Sequence, residues 1–231
     1  LEDFPQTAIM LSGSNSWIYN YNPTASVKYH LDNGTLSAET PSVENICSYT
    51  SDPAAPVPYD TPSKHRRREY MIADQRFADS RDDVLTFLSE PLTADTTFVG
   101  DIVAKLDVAI TTTDADFAVR VIDLYPETDS EKPNYQMLVR GDIMRARYRH
   151  SFTHPTPMTP GEKSEVKFTM PGIAHTFKAG HRIMVCVQSS WYPLAERSPQ
   201  QFVNLWYCNS SDFVKTDVKI FNSSTIEFNA L

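Results

Sequence analysis

Few side chains in this sequence could do chemistry, and their spacing decides what each could do. A serine nucleophile of the α/β-hydrolase kind needs a sharp strand-to-helix elbow flanked by glycines, with Asp and His supplied by later loops. Ser12-Gly13-Ser14-Asn15-Ser16 is the nearest glycine–serine cluster and lacks the second glycine. Ser14 therefore reads as a turn residue ahead of Trp17, and no triad assembles from the sequence. His150 and His154 have a ligand-like spacing, but both imidazoles share a face only in a helix. Pro155 and Pro157 follow at once, so the segment reads as a solvated loop. Asp114 and Asp116 offer two carboxylates where Ca²⁺ takes roughly six to eight oxygens; Asx-turn hydrogen bonding accounts for them. Cys47, Cys186 and Cys208 form no CxxC pair. Cys186 lies in an alternating run and reads as a small buried hydrophobe. No metal and no cofactor is expected.

Two cationic clusters and one aromatic cluster could bind rather than react. Lys64-His65-Arg66-Arg67-Arg68 reads either as a solvated loop in an acidic protein or as a docking loop, since Arg offers bidentate contacts to carboxylates. Arg145, Arg147 and Arg149 alternate and would share one face of a strand, where three cations repel unless carboxylates face them. Structural ion pairs to a neighbouring strand or domain are expected there. Trp191 and Tyr192 beside Pro193 could stack on a sugar or pack at an interface.

The elements that must position these residues are strands. Ile102, Ala104, Leu106, Val108 and Ile110 repeat with period two, as do Phe117, Val119 and Val121, then Val166, Phe168 and Met170, then Ile183, Val185 and Val187. Ile226 with Phe228 suggests a last strand. Pro91, Gly100, Pro126, Gly141, Pro171-Gly172, Gly180 and Pro193 punctuate the intervals. Many short strands between turn signals indicate two packed sheets, a sandwich or a jelly roll. The helices expected are few and short, such as Asp74 to Ser80. Residues 1 to about 65 carry weaker periodicity and read as a linker plus first strands of one domain spanning 1–231, or as a small separate module. Too few apolar residues precede Thr61 for an independent core, which favours one domain.

Composition excludes some partners. A formal net charge of −8 argues against a general nucleic-acid binder. No run approaches the roughly 18 apolar residues of a membrane span. Leu1-Glu2-Asp3-Phe4-Pro5 has neither the charged nor the apolar region of a signal peptide. Asn-x-Ser/Thr triplets at Asn33, Asn209 and Asn222 leave the compartment open.

Five blocks carry a resemblance to known enzymes. Asp52-Pro53-Ala54-Ala55-Pro56-Val57-Pro58 is similar to an Asp-Pro-x-x-Pro-Val-Pro turn. Asp74-Gln75-Arg76-Phe77-Ala78-Asp79-Ser80-Arg81-Asp82-Asp83-Val84-Leu85 follows. Thr113-Asp114-Ala115-Asp116-Phe117 with Val121-Ile122-Asp123-Leu124-Tyr125-Pro126 is the third, and Gly141-Asp142-Ile143-Met144-Arg145-Ala146-Arg147-Tyr148-Arg149 the fourth. Phe177-Lys178-Ala179-Gly180-His181-Arg182-Ile183-Met184-Val185 with Ser189-Ser190-Trp191-Tyr192-Pro193 is the fifth. In this order they resemble the C-terminal region of the α-amino-acid ester hydrolases, glutaryl-cephalosporin acylases and bacterial cocaine esterase, with X-prolyl dipeptidyl-peptidases as more distant relatives. Gln200-Gln201-Phe202-Val203-Asn204 is similar to the ester-hydrolase and acylase branch, with Ser198 where that branch usually has Asn.

The resemblance implies a jelly-roll β-sandwich of galactose-binding-like type. It implies a catalytic α/β-hydrolase domain upstream of Leu1, in the same polypeptide, with the triad there and no catalytic residue here. The loop before the Asp-Gln-Arg block would approach that domain's cleft. Arg66, Arg67, Arg68 and Tyr70, with Trp191 and Tyr192, are thus the cleft or domain-interface candidates. Self-association and a periplasmic or secreted location are further implications of the resemblance alone. Two function classes stand at this point: a non-catalytic accessory domain that buttresses a serine hydrolase of acyl esters, amides or X-Pro peptides, and a freestanding carbohydrate- or ligand-binding sandwich.

Overall fold

In the computed structural model, residues 9–14, 16–18, 25–61 and 68–230 are described. The strands are β1 (Ile9–Leu11), β2 (Ser16–Ile18), β3 (Ala25–Asp32), β4 (Thr35–Ser37), β5 (Ile46–Ser51), β6 (Val84–Leu88), β7 (Thr96–Ile110), β8 (Asp116–Leu124), β9 (Gln136–Arg145), β10 (Ser164–Phe177), β11 (Arg182–Gln188), β12 (Thr216–Phe221) and β13 (Thr225–Ala230). Helical structure among these residues amounts to short 3-10 turns. The stretch expected as a helix from Asp74 to Ser80 holds only the turn Arg76–Ala78.

β7 organises the sheet. On one edge it pairs antiparallel with β10 along nearly its whole length, and on the other with β13 and then β12. From β13 the hydrogen-bonded path continues through β3, β4, β6, β11 and β8 to β9, while β5 flanks β12. β3, β4 and β5 thus belong to the same sheet as the strands after residue 84. One buried cluster draws Leu106, Val166 and Met170 from one end of this path and Phe117, Val119 and Val185 from the other. The sheet therefore rolls over on itself, and its two layers face each other across one core. The protein is an all-β sandwich.

Period-two patterning explains β7 and β10, where Ile102, Leu106, Val108, Val166 and Met170 are essentially fully buried. The glycine and proline signals inside them work differently from expectation. Gly100 does not end a strand; β7 runs through it at φ 105, a conformation that glycine adopts without a Cβ clash. Pro171-Gly172 likewise lies inside β10, at a register shift between Met170 and Ile173, because a bulge tolerates a residue with no N–H to give the ladder. Asn33-Gly34 closes the β3–β4 hairpin with φ 45 and 80, as a two-residue turn with two left-handed positions requires.

β8 is buried on both faces. Phe117, Val119 and Val121 face the main core, while Ala118 and Ile122 join a second cluster with Val57, Ala78, Leu138, Met184, Cys186 and Trp191. Two of the blocks singled out in the sequence form the cover of this outer face. Gln75 takes a hydrogen bond from the buried guanidinium of Arg120 at 2.7 Å and gives one to the Ala73 carbonyl at 2.9 Å. Burial holds the Arg120 guanidinium below the usual arginine range. Arg81 grips Asp83 through two 2.7 Å bonds and reaches the Ala55 carbonyl at 2.7 Å, locking the two blocks together. Cys186 is 1% exposed, and burial pushes its thiol up.

Candidate functional site

The Arg block does not continue as a strand. β9 ends at Arg145, and Ala146–Tyr148 forms a 3-10 turn, so the three arginines diverge. Arg145 grips Asp116 through Nε and Nη2 at 2.7 and 2.9 Å. Arg147 meets Asp114 through Nε at 2.6 Å and gives its backbone N–H to the same carboxylate at 3.0 Å. Asp114 and Asp116 are accordingly partners of the arginines, neither Ca²⁺ ligands nor residues that serve only their own turn. Arg149 donates to the carbonyls of Ala146, Thr156 and Pro157. His154 bonds Thr153 in an exposed loop. Among the described residues no group of three His, Cys, Asp or Glu side chains could hold a metal.

The chain folds back on these elements to form a cleft of about 440 Å³ beside β9. It is lined by Tyr70, Met71 and Ile72, by Trp191 and Leu194, and by Arg140 to Ile143 of β9. Each wall has a local cause. The 3-10 turn Arg68–Ile72 presents Tyr70, whose ring meets Tyr59 edge-on at 5.3 Å between centroids. Trp191 is held by its neighbours: Val57 N–H bonds Ser190 Oγ at 2.8 Å, and Tyr59 and Tyr192 N–H groups bond the carbonyls of Tyr192 and Val57. Gly141 makes room for the indole, since a Cβ there would overlap the Trp191 ring. Met71 and Ile72 are 52% and 61% exposed, while Trp191 is 5% exposed. The result is a buried aromatic floor with an apolar lip open to solvent. Among the described residues the polar side chains lining the cleft are those of Tyr70, Arg140 and Asp142, and the rest of the lining is mostly apolar.

The structure brings Tyr70 and Trp191 together and leaves Tyr192 out. Tyr192 is half-exposed beneath the Arg197 guanidinium, 5.8 Å from its ring centroid. Trp191 is too buried to serve as a sugar platform. Arg66 and Arg67 lie outside the described residues, and Arg68 enters only as the backbone that opens the turn before Tyr70. Sequence reasoning missed Met71, Ile72 and Leu194 as cleft walls, because three isolated apolar residues in loops carry no period. It also missed Trp206 and Tyr207, which stand 92% and 81% exposed.

Gly141→Ala is expected to push the Trp191 ring out of its seat and lower stability by about 1–3 kcal/mol, the usual cost of overpacking. A shift of the Trp191 fluorescence maximum on substitution, set against a Trp191→Phe background, would check it; an unchanged spectrum and midpoint would show that the indole does not rest on Gly141.

Comparison with known proteins places this architecture. Residues 7–204 match the sequence profile of the X-Pro dipeptidyl-peptidase C-terminal non-catalytic domain. Cocaine esterase of Rhodococcus sp. (strain MB1 Bresler) is 34% identical over 166 residues, which is 71% of this chain and 28% of the esterase. The solved structure of an aminopeptidase from a marine sediment archaeon (Thaumarchaeota archaeon) superposes with a TM-score of 0.92 at 34% identity, covering 99% of this chain and 41% of the other. An α-amino acid ester hydrolase labelled with selenomethionine superposes with a TM-score of 0.93 at 34% identity and the same coverage. The chain therefore spans well under half the length of these relatives. Matched over residues 7–204 and folded as the same sandwich as these relatives, it belongs to the family of X-Pro dipeptidyl-peptidase C-terminal non-catalytic domains.

Proposed function

We propose that this chain is the accessory domain of a serine hydrolase that cleaves acyl esters, amides or X-Pro peptides, and that it docks on the catalytic domain through the Tyr70–Trp191 cleft and walls part of the substrate site. The observation that carries the reading is the exposed Met71–Ile72 lip over the buried Trp191 floor. Apolar surface at the mouth of a formed cleft marks an interaction site more often than scattered surface residues do. The relatives' names supply the reaction class, and their greater length supplies room for a catalytic domain. Fold alone would equally suit a sugar-binding sandwich, but the buried Trp191 disfavours it.

The test is hydrogen exchange. Adding the parent protein's catalytic domain in trans is expected to slow exchange in 68–73, 139–143 and 191–195. Protection confined to the β3–β4 hairpin around Asn33, with none at the cleft, would place the docking face elsewhere.

A further inference from the structure

The carboxylate of Asp123, on β8, sits between two imidazoles. His175 of β10 meets it through Nε2 at 3.0 Å, and His181, in the turn after β10, through Nδ1 at 2.7 Å. An ionised carboxylate only accepts hydrogen bonds, so both of those nitrogens carry protons. In the neutral ring Nδ1 of His175 is then the acceptor; it lies 2.6 Å from Oγ of Ser12, and the same hydroxyl also lies within 3.1 Å of the Ala174 carbonyl, so the two acceptors share one proton. His175 and Asp123 are each 1% exposed, whereas Ser12 faces solvent.

Backbone geometry fixes the serine over its partner. Ser12 N–H bonds the Ala174 carbonyl at 2.9 Å, and Thr176 N–H bonds the Ser12 carbonyl at 3.0 Å. The next residue is Gly13 at φ 82, where a Cβ would strike the Thr176 carbonyl. An exposed hydroxyl, a buried base within hydrogen-bond reach and a carboxylate orienting that base are the parts of an activated nucleophile. The ring nitrogens are reversed relative to the familiar triad: here Nδ1 faces the serine and Nε2 the aspartate.

We propose that Ser12 is a nucleophile that accepts an acyl group from activated esters such as aryl esters, with His175 as its general base and Asp123 as the positioning residue. As Oγ attacks the ester carbonyl carbon, its proton passes to His175 Nδ1. The aryl C–O bond then breaks, and the departing phenolate takes that proton, so that ester and serine become acyl-Ser12 and a phenol. Because Ser12 N–H is already engaged by Ala174, it cannot steady a developing oxyanion. That confines the reaction to esters with good leaving groups, and it leaves the family's description as non-catalytic intact. The site shares no residue with the Tyr70–Trp191 cleft, so the two readings stand or fall separately.

Purified chain treated with p-nitrophenyl acetate and mapped by mass spectrometry is expected to carry acetyl on Ser12, formed about a hundredfold faster than on the exposed Ser210, the order that general-base assistance supplies. Ser12→Ala should lose that label and keep the fold. In Ser12→Cys, the introduced thiol should react with iodoacetamide faster than free cysteine at the same pH. Acetylation of Ser12 at the rate of Ser210 overturns the proposal, and so does a thiol at this position no more reactive than free cysteine.

Discussion

Arg147→Ala is expected to lower the stability of the chain by about 3–5 kcal/mol, the range for removing one partner of a buried ion pair. For a chain of this size that is a fall in melting temperature of about 6–20 °C. Arg147 is 5% exposed and Asp114 is fully buried. Besides its bond to Asp114, the guanidinium donates to the carbonyls of Val203 and Gln201 at 2.9 and 3.0 Å and lies 4.9 Å from the Phe202 ring centroid. One side chain thus pins the 201–203 loop against the turn after β9. Burial pushes the Asp114 carboxyl above its ordinary range despite the hydrogen bond and charge of Arg147. The pair is therefore costly to bury, and its value lies in what happens when half of it is lost. Without Arg147, Asp114 would have to stay ionised in a dry site or take up a proton. The deficit of Arg147→Ala should accordingly shrink as pH is lowered towards the carboxylate range, because a protonated Asp114 no longer needs its cation. Thermal melts of both proteins across pH 4–8 read this directly. A midpoint within a degree or so of wild type at neutral pH would mark Arg147 as an ordinary surface charge.

What the sequence disclosed here follows from the range of its signals. Alternation is local, so the core face of β7, β10 and β13 was legible residue by residue. Alternation also shows only one face at a time. β8 carries Arg120 on its second face, and a charge there reads as solvent until Gln75, 45 residues earlier, is seen to accept its hydrogen bond. The blocks that gave the family away proved to be the cover of that second face and the walls around Trp191. They are legible as resemblance because their packing is specific, yet no period announces them. The carboxylates before β8 and the arginines after β9 were each visible. Their pairing was not, because it depends on the register that sets Asp116 opposite Arg145. Ser12 and His175 lie 163 residues apart and meet where an isolated parallel bridge brings their backbones together. A sequence search for an elbow motif looks for a nucleophile whose geometry is local, and that one is not.

Asp123→Asn is expected to cost about 1–3 kcal/mol at neutral pH, because it sets a carboxamide where a carboxylate accepts from two buried imidazoles. The Asn oxygen can take one N–H, from His175 or from His181. Its NH₂ group then faces the other, donor against donor, which leaves a buried polar group unsatisfied unless that ring changes tautomer. The strain falls between strands: Asp123 lies on β8, His175 on β10, and His181 lies tilted against the Tyr125 ring at 4.5 Å between centroids. The same site predicts an acid limb. Burial pushes the Asp123 carboxyl up, but the hydrogen bonds from the two histidines outweigh it and hold the group below its ordinary range. A carboxyl depressed on folding contributes stability that is fully present above its unfolded value, about 3.9. That contribution is lost as pH falls from there through the depressed folded value. Wild type should therefore lose stability below about pH 4 more steeply than Asp123→Asn, and the two curves should converge towards pH 2. Parallel acid limbs in urea melts would mean that the carboxylate carries no such linkage, and that the two histidines are held by packing rather than by Asp123.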